Sequence, residues 1–437
     1  MGDQSYRLEK LIAGNYKNLV LDPGAVLSNL NIFIGSNGSG KSNFIAVLKF
    51  LNQCVTGRPD VDRGITAFQE AVDSLGGTQI LDATVKRPAT VTLAYQFGTE
   101  DSATPSKLLK LVLWVPSGQQ LVTIHQEVLD DVHEEGKPGF DYNFTKYEGD
   151  PESTKGYYYR HSESDGLTGE VADFVLIGGE AVFNQPEDDL ALTRVSSLGN
   201  MDDHQFKPSV DLTRDLVSRI KGWRFFNANE MSLREIRTSE PKIGSRETRL
   251  LPSGDNLALV LENLFSEHID FEEILNDAMK HVLPFTRKVR PIRSGRMRLT
   301  LEWHVQGVKE PFYLNELSDG TIRMLCLATT LLAPDLPSLL VIEEPEIGLH
   351  VAWMPLLAEW IKRASGQTQV IISTHSPDLL DQFTDSVEHV LCFNKMDQHH
   401  FSVRTLDRKD LAEHLTEGWE LGDLYRVGDP DVGGWPW

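Results

Sequence analysis

The sequence predicts an α/β protein: a parallel sheet, a mixed β lobe and a helical, irregular insertion. Three observations predict it. An apolar run at 30–34 ends in a glycine-rich loop, and helical spacing follows over 42–52 in Phe44, Ile45, Val47, Leu48 and Leu51. From residue 298 to 372 strand-like and helix-like segments alternate, the order of a parallel sheet with crossover helices. Between these regions, 90–97, 108–115 and 120–125 alternate with period two, as antiparallel strands do.

Taken in order, 6–12 and 16–21 read as short strands leading to the glycine loop. Residues 126–206 are rich in Asp, Glu, Gly and Ser and read as an elaborated surface region. Helical patterns follow at 211–223, 256–267 and 270–283. Residues 298–305 alternate as a strand. Then come a helix at 318–332, a strand at 338–342, a helix at 351–364 and a strand at 369–372. The expected division is an N-terminal lobe (1–125), an acidic insertion (126–210), a helical subdomain with connecting strands (211–300) and a C-terminal lobe (301–437). The nucleotide-binding fold is therefore split by its insertion. No internal repeat or sustained heptad pattern is present.

The chain has 437 residues with 40% hydrophobic content, enough apolar material for a sizeable core. Its formal charge of −22 opposes non-specific binding to DNA or anionic lipid, so any nucleic-acid contact must come from a local basic patch. Cys54, Cys326 and Cys392 are odd in number and far apart, which suits neither a disulfide framework nor a zinc cluster and fits a reduced, cytoplasmic setting. The first 19 residues lack an apolar signal core, and no run of about 18 apolar residues predicts a membrane span. Gly2 does not signal myristoylation, because Tyr6 stands where Ser or Thr is required.

Gly35-Ser36-Asn37-Gly38-Ser39-Gly40-Lys41-Ser42 fits G-x-x-x-x-G-K-[ST] at every fixed position, between a buried strand and a helix. Glycines let backbone N–H groups face phosphates, and the helix start adds its positive end. The motif predicts ATP bound with Mg²⁺, Lys41 reaching the β- and γ-phosphates and the Ser42 hydroxyl on the metal. A chance glycine turn would lack that strand–helix context. Leu339-Leu-Val-Ile-Glu-Glu-Pro-Glu346 puts acids at the carboxyl end of a buried strand, where such sheets bind ligands. Glu343 would hold Mg²⁺ through water, and Glu344 would act as general base; by itself the segment could also be a solvated acidic turn. Ser318 is a helix N-cap and Gly320 permits close approach to that helix start, a signal that alone says only cap. His375 ends the strand at 369–372 and faces the ligand crevice, or is structural.

In this order the four elements resemble the ATPase head of the RecF/SMC branch of the ABC-type superfamily. They are more closely similar to the stand-alone RecF-like ATPases (the AAA15/AAA21 type) grouped with the ATPase half of OLD-family nucleases. Leu317–Arg323 matches the signature motif, Glu343–His350 matches Walker B with the D-loop, and Ser373–Pro377 matches the segment carrying the switch histidine. The resemblance covers 6–52 and 311–393, and loosely 223–305. It implies a homodimer, or a higher oligomer, in which two heads sandwich two ATP molecules. Ser318 and Gly320 would bind the γ-phosphate in trans, His375 would contact it in cis, and Glu344 would drive hydrolysis. Glu346 and the turn to His350 would lie across the dimer interface. Many ABC ATPases carry Asp where this chain has Glu343, but the double Glu is usual in the RecF-like and OLD-like subset. Gln79 is the candidate for the glutamine loop, which would touch the metal. No CxxC hook or long coiled-coil arm is present. Too little chain follows residue 393 for a Toprim nuclease, so the chain reads as the ATPase half with a short C-terminal tail. A separate effector such as a Toprim-like nuclease, and a role in bacterial anti-phage defence, follow from the resemblance alone.

Other candidates remain open. Residues 287–298 hold six basic side chains and no acid, a DNA-facing patch or a strand pair paired with the protein's own acids. Asp202, Asp203 and His204, and likewise His399 and His400, lack metal-ligand spacing and read as surface. Trp435 and Trp437 could anchor a partner or pack on the protein's own core. The resemblance implies an ATPase acting as a dimeric, nucleotide-driven switch, and two functions of other classes stand beside it: a DNA-repair ATPase binding DNA directly, and an ATP-dependent scaffold without turnover.

Overall fold

The computed structural model describes residues 6–58, 64–99, 104–118, 120–132, 140–146, 154–157, 188–197 and 207–433. Two strands open the chain, β1 (Arg7–Tyr16) and β2 (Leu19–Val26), followed by β3 (Leu30–Gly35), every residue of which is buried. Helix α1 (Lys41–Thr56) buries Phe44, Ile45, Val47, Leu48 and Leu51, the stripe its spacing predicts. A second helix, α2 (Ala67–Leu75), is capped by Thr66 and was not legible as a helix. Strands β4 (Ala89–Gly98), β5 (Lys107–Val115), β6 (Thr123–Asp131), β7 (Phe140–Lys146) and β8 (Thr154–Tyr157) follow. The β6 strand runs well past the expected 120–125. Its pairing with β5 slips between Ile124 and Gln126, and that bulge breaks the period-two pattern at His125. Helices α3 (Ala191–Ser197) and α4 (Lys207–Gly222) complete this stretch.

Next come β9 (Arg224–Asn227), α5 (Leu233–Thr238), α6 (Leu257–Glu267) and α7 (Ile269–Val282). A hairpin of β10 (Thr286–Ser294) and β11 (Arg298–Val305) is joined by the two-residue β12 (Phe312–Tyr313). The remaining order is α8 (Asp319–Leu331), β13 (Leu339–Glu343), α9 (Met354–Ser365), β14 (Gln369–Ser373) and α10 (Pro377–Asp381). The chain ends in β15 (Val390–Lys395), β16 (Phe401–Thr405), α11 (Ala412–Thr416) and α12 (Leu421–Val427). The expected short tail is thus partly helical: Leu421 and Leu424 are buried on α12.

The chain folds as two compact units. The first comprises Met1–Ser28, Asn37–Trp223 and Phe393–Arg404. Its strands run in the order β8-β7-β6-β5-β4-β1-β2-β16, antiparallel from β8 to β2, with β16 joining β2 in parallel. Helix α1 packs there through Phe44, edge-on to Phe393 at 6.0 Å, and its Val47 carbonyl accepts the buried Tyr95 hydroxyl at 2.9 Å. A fully buried carboxylate, Glu127, accepts the Tyr142 hydroxyl (2.8 Å) and the N–H groups of Ala191 (2.7 Å) and Leu192 (2.8 Å). Burial, opposed by those bonds, pushes its pKa up to about 7.

The second unit comprises Asn29–Ser36, Arg224–Cys392 and Thr405–Trp437. Its parallel sheet runs β3-β14-β13-β9 and carries the continuous apolar strands that two-sided burial requires. Ile32, Ile34, Leu340, Ile342, Val370 and Ile372 meet apolar residues of α6, α8 and α9 in one core. A separate antiparallel sheet, β10-β11-β12, packs with α6 and α7 through Val289, Leu301 and Trp303. In register, Glu343 stands opposite Ser373 on one side and Asn227 on the other. The carboxyl ends of this sheet therefore bring motif residues to one edge, where open α/β sheets bind ligands.

Candidate active site

The first unit supplies the phosphate loop beyond Ser36. Gly38 (φ 76°) and Gly40 (φ 99°) lie in the left-handed region that glycine enters without steric cost. A Cβ at Gly40 would lie 2.3 Å from the Leu19 side chain, so close approach adds to the backbone requirement. Helix α1 then starts at Lys41 with no side-chain cap and no acid in its first turn. Such a helix start receives an anion well, because its first N–H groups and dipole point outward. Lys41 is buried, with Nζ 3.4 Å from Ser39 Oγ, and Ser42 is exposed. This donor set fits a bound triphosphate, with the Ser42 hydroxyl at hand for a divalent cation.

The turn between β1 and β2 braces the loop. Asn18 Nδ2 donates to the Gly38 carbonyl (2.9 Å), and Asn18 Oδ1 accepts from Asn43 Nδ2 (2.7 Å). Lys17 Nζ donates to Asn43 Oδ1 at 3.2 Å, and burial lowers the Lys17 pKa. The same turn holds the Gln79 segment: the Lys17 N–H donates to the Ile80 carbonyl (2.9 Å), and Gln79 lies exposed in the single turn Gly77–Ile80. Lys17 and Asn18 carry no motif signal, and sequence reasoning did not find them.

The second unit assembles the acids and the histidine. Glu343 closes β13 and is 8% exposed. Glu344 follows with φ 51°, a left-handed conformation rare for a residue with a side chain. Its N–H donates to the Ser373 carbonyl (2.8 Å), tying it to the end of β14. One carboxylate oxygen, Oε2, accepts from Asn229 Nδ2 (3.1 Å), and the other, Oε1, lies 3.9 Å from His375 Nε2. Glu344 and His375 therefore face each other. Asn229 sits in the turn after the short β9, whose four half-buried residues show no periodicity to read.

Glu346 turns inward. Its Oε1 accepts from Thr374 Oγ1 (2.7 Å), the His375 N–H (2.9 Å) and the Ser376 N–H (3.2 Å). Its buried Oε2 has no hydrogen-bond partner among the described residues. Burial raises its pKa, the bonds to Thr374 and His375 oppose that rise, and Glu344 adds to it. Within its own chain the Glu346 carboxylate braces the histidine loop. His375 is also held from the other side. Tyr425 Oη lies 3.4 Å from His375 Nδ1 and donates to the Gly35 carbonyl at 3.2 Å.

The start of α8 is built as its sequence predicts. Ser318 is exposed and its Oγ accepts the Thr321 N–H at 3.2 Å. A Cβ on Gly320 would stand 3.0 Å from the Trp353 ring and 3.1 Å from the Gly348 carbonyl, so glycine allows this contact. Arg237 on α5 donates to the Leu317 carbonyl (2.9 Å) and pairs with Asp319, while Arg323 donates to the Ala228 carbonyl (2.6 Å).

The basic segment 287–298 is the β10–β11 hairpin. Lys288 pairs with Glu272 (2.6 Å), Arg290 with Glu302 (3.0 Å) and Arg298 with Glu240 (3.8 Å). Among the described residues no ion pair engages Arg287, Arg293 or Arg296. His399 is exposed, but His400 is half-buried, with Nε2 2.7 Å from Asp82 and Nδ1 2.8 Å from Asp397, whose hydrogen bonds raise its pKa. It is a structural link, not a loose surface residue. Asp202, Asp203, His204, Trp435 and Trp437 lie outside the described residues. Among the described residues no helix is long and apolar enough to cross a membrane.

Comparison with known proteins adds a likeness in sequence over part of the chain and a likeness in fold. Residues 183–381 match the family described as "AAA domain, putative AbiEii toxin, Type IV TA system". No curated protein matches the sequence. Among solved structures, an SMC head bound to the C-winged helix domain of ScpA is similar with a TM-score of 0.53 at 13% identity, covering 92% of this chain and 99% of that one. The Pyrococcus furiosus Smc head with an extended coiled coil, bound to the C-terminal domain of ScpA, gives a TM-score of 0.47 at 12% identity, over 94% and 99% of the two chains. The SMC head domain from Thermotoga maritima gives 0.40 at 13%, over 92% and 99%. Residues 183–381 are thus similar to that AAA-domain family, and the chain has a fold similar to that of an SMC head.

Proposed function

We propose that the chain binds and hydrolyses ATP as a dimeric switch whose state is read by a separate protein effector. The observation that carries the reading is Glu344. It follows a buried parallel strand, is held in a left-handed conformation between Ser373 and Asn229, and lies 3.9 Å from His375. Strained, hydrogen-bonded acids at a sheet's carboxyl edge mark functional positions.

In this reading the backbone of Gly35, Ser36, Asn37, Gly38, Ser39 and Gly40 cradles the phosphates. Lys41 neutralises charge on the β- and γ-phosphates. Ser42 and Glu343, with Gln79 as the third candidate, hold Mg²⁺, which when bound offsets the charge of the triphosphate. Glu344 takes the proton of the attacking water, and His375 donates to the γ-phosphate. Ser318 and Gly320 of a second copy close over the same phosphate, so binding of ATP and pairing of chains are one event.

The similar SMC head is bound to the C-winged helix domain of ScpA, and the matching family is described through a toxin–antitoxin system. Both support a protein partner for this chain. A Toprim-like nuclease acting in anti-phage defence, as in OLD-type systems, is our specific suggestion. A nuclease gene beside this one would favour it, and recovery of the chain with no partner protein would oppose it. The activity is tested by phosphate release from ATP with Mg²⁺: wild type should turn over and Glu344→Gln should not. Turnover absent from wild type, with or without DNA, would leave the scaffold reading in its place.

The direct DNA-binding reading draws on Arg287, Arg293 and Arg296. Their neutralisation should weaken DNA binding and flatten its salt dependence. It is the weaker reading, because the other three cations of the patch are matched to the protein's own acids.

A further inference from the structure

Tyr425 enters the candidate site from a segment that no motif covers. It lies on α12, which docks on α10, the helix directly after His375. The Gly422 N–H donates to Asp381 Oδ1 (2.6 Å), the Leu421 N–H to Thr384 Oγ1 (3.1 Å), and Arg426 pairs with Asp378 (2.8 Å). A Cβ at Gly422 would fall 2.2 Å from the Pro377 carbonyl oxygen, so the approach of the two helices depends on glycine. Tyr425 itself is 6% exposed.

A phenol carries one proton. Donated to the Gly35 carbonyl, it leaves the Tyr425 oxygen to accept from His375 Nδ1–H. The ring nitrogen on the Glu344 side is then Nε2. With its proton on Nδ1 a neutral ring offers only an acceptor at Nε2. The imidazolium, favoured by the Tyr425 oxygen on one side and Glu344 on the other, donates at both nitrogens.

We propose that Tyr425 is a positioning residue for hydrolysis: anchored on the Gly35 carbonyl, its hydroxyl holds His375 by Nδ1 and presents a protonated Nε2 to the γ-phosphate. The C-terminal helix thereby becomes part of the nucleotide site. This rests on the reading of Glu344 and His375 given above. Burial pushes the Tyr425 hydroxyl up to about 12, so it stays a donor at working pH. The titratable groups around the ring are Glu344 and Glu346 from the turn after β13, Tyr425 from α12, and Asp378 and Asp381 on α10, both paired with Arg426.

The test is Tyr425→Phe, which removes only the hydroxyl. The rate constant kcat should fall about tenfold, the size of one hydrogen bond lost in the transition state, with nucleotide Kd changed less than about twofold. The alkaline limb of the pH–rate profile should move to lower pH, and the substitution should add nothing in a His375→Ala background. Val427→Ala, on the exposed side of the same helix, should leave kcat unchanged. In the wild-type chain, ¹⁵N NMR of the His375 ring should report a protonated Nδ1, a readout that requires no variant to fold. An unprotonated Nδ1, or an unchanged kcat and pH profile in Tyr425→Phe while His375→Ala is inactive, overturns the proposal. Phosphate release that survives Glu344→Gln overturns the hydrolytic reading itself.

Discussion

Glu344 sits in a backbone conformation that costs a residue with a side chain on the order of 1–3 kcal/mol, sustained by bonds to Ser373 and Asn229. Glu344→Gln keeps that shape and removes the base. Phosphate release should fall by at least about 100-fold, with ATP binding retained. A binding titration beside a turnover assay separates the two. Two buried acids bear on stability instead. The pKa values of Glu127 and Glu346 are raised by burial, so each favours the folded state in its protonated form. For Glu127 that contribution is complete below about 4.5 and is lost as pH rises through about 7. At about 1.4 kcal/mol per pH unit, its ionisation costs roughly 3 kcal/mol. Wild type should therefore melt at lower temperature at pH 8 than at pH 5, and Glu127→Gln should flatten that difference. Equal slopes in the two proteins would contradict the assignment.

At the scale of elements, the cap of α8 does two jobs that can be pulled apart. Ser318→Ala removes the bond to the Thr321 N–H and should cost about 1 kcal/mol in denaturant unfolding. If Ser318 also serves a second copy, turnover should fall far more than that loss explains, while nucleotide binding by one chain stays intact. Ser318→Asn should restore the cap without restoring turnover. The glycine loop, β13, β14 and the start of α8 were legible because their chemistry is local: a buried strand, then a phosphate- or water-facing residue, within one short window. The braces were not. Asn229 follows a strand too short to show a period, Lys17 and Asn18 occupy an ordinary hairpin turn, and Tyr425 looks like tail. Each matters through a partner far along the chain, from Gly38 for Asn18 to Gly35 for Tyr425, and spacing does not encode such pairs. Glu346 was legible as an acid, but its inward bonds were not, since only tertiary contacts turn its carboxylate toward Thr374 and His375.

At the scale of the molecule, the division into two units was visible only as a split nucleotide-binding fold. The strand orders, and the return of 393–404 to the first unit, depend on long-range pairing. The net charge of −22 and the matched cations of the β10–β11 hairpin oppose a DNA-facing role. What remains is the claim that one chain alone cannot complete the catalytic site. The direct measurement is phosphate release per chain, with ATP and Mg²⁺, as a function of chain concentration. The rate per chain should rise with concentration and then saturate as chains pair, and Glu344→Gln should abolish it throughout. A rate per chain that is constant down to high dilution, or no release at any concentration, would contradict the account.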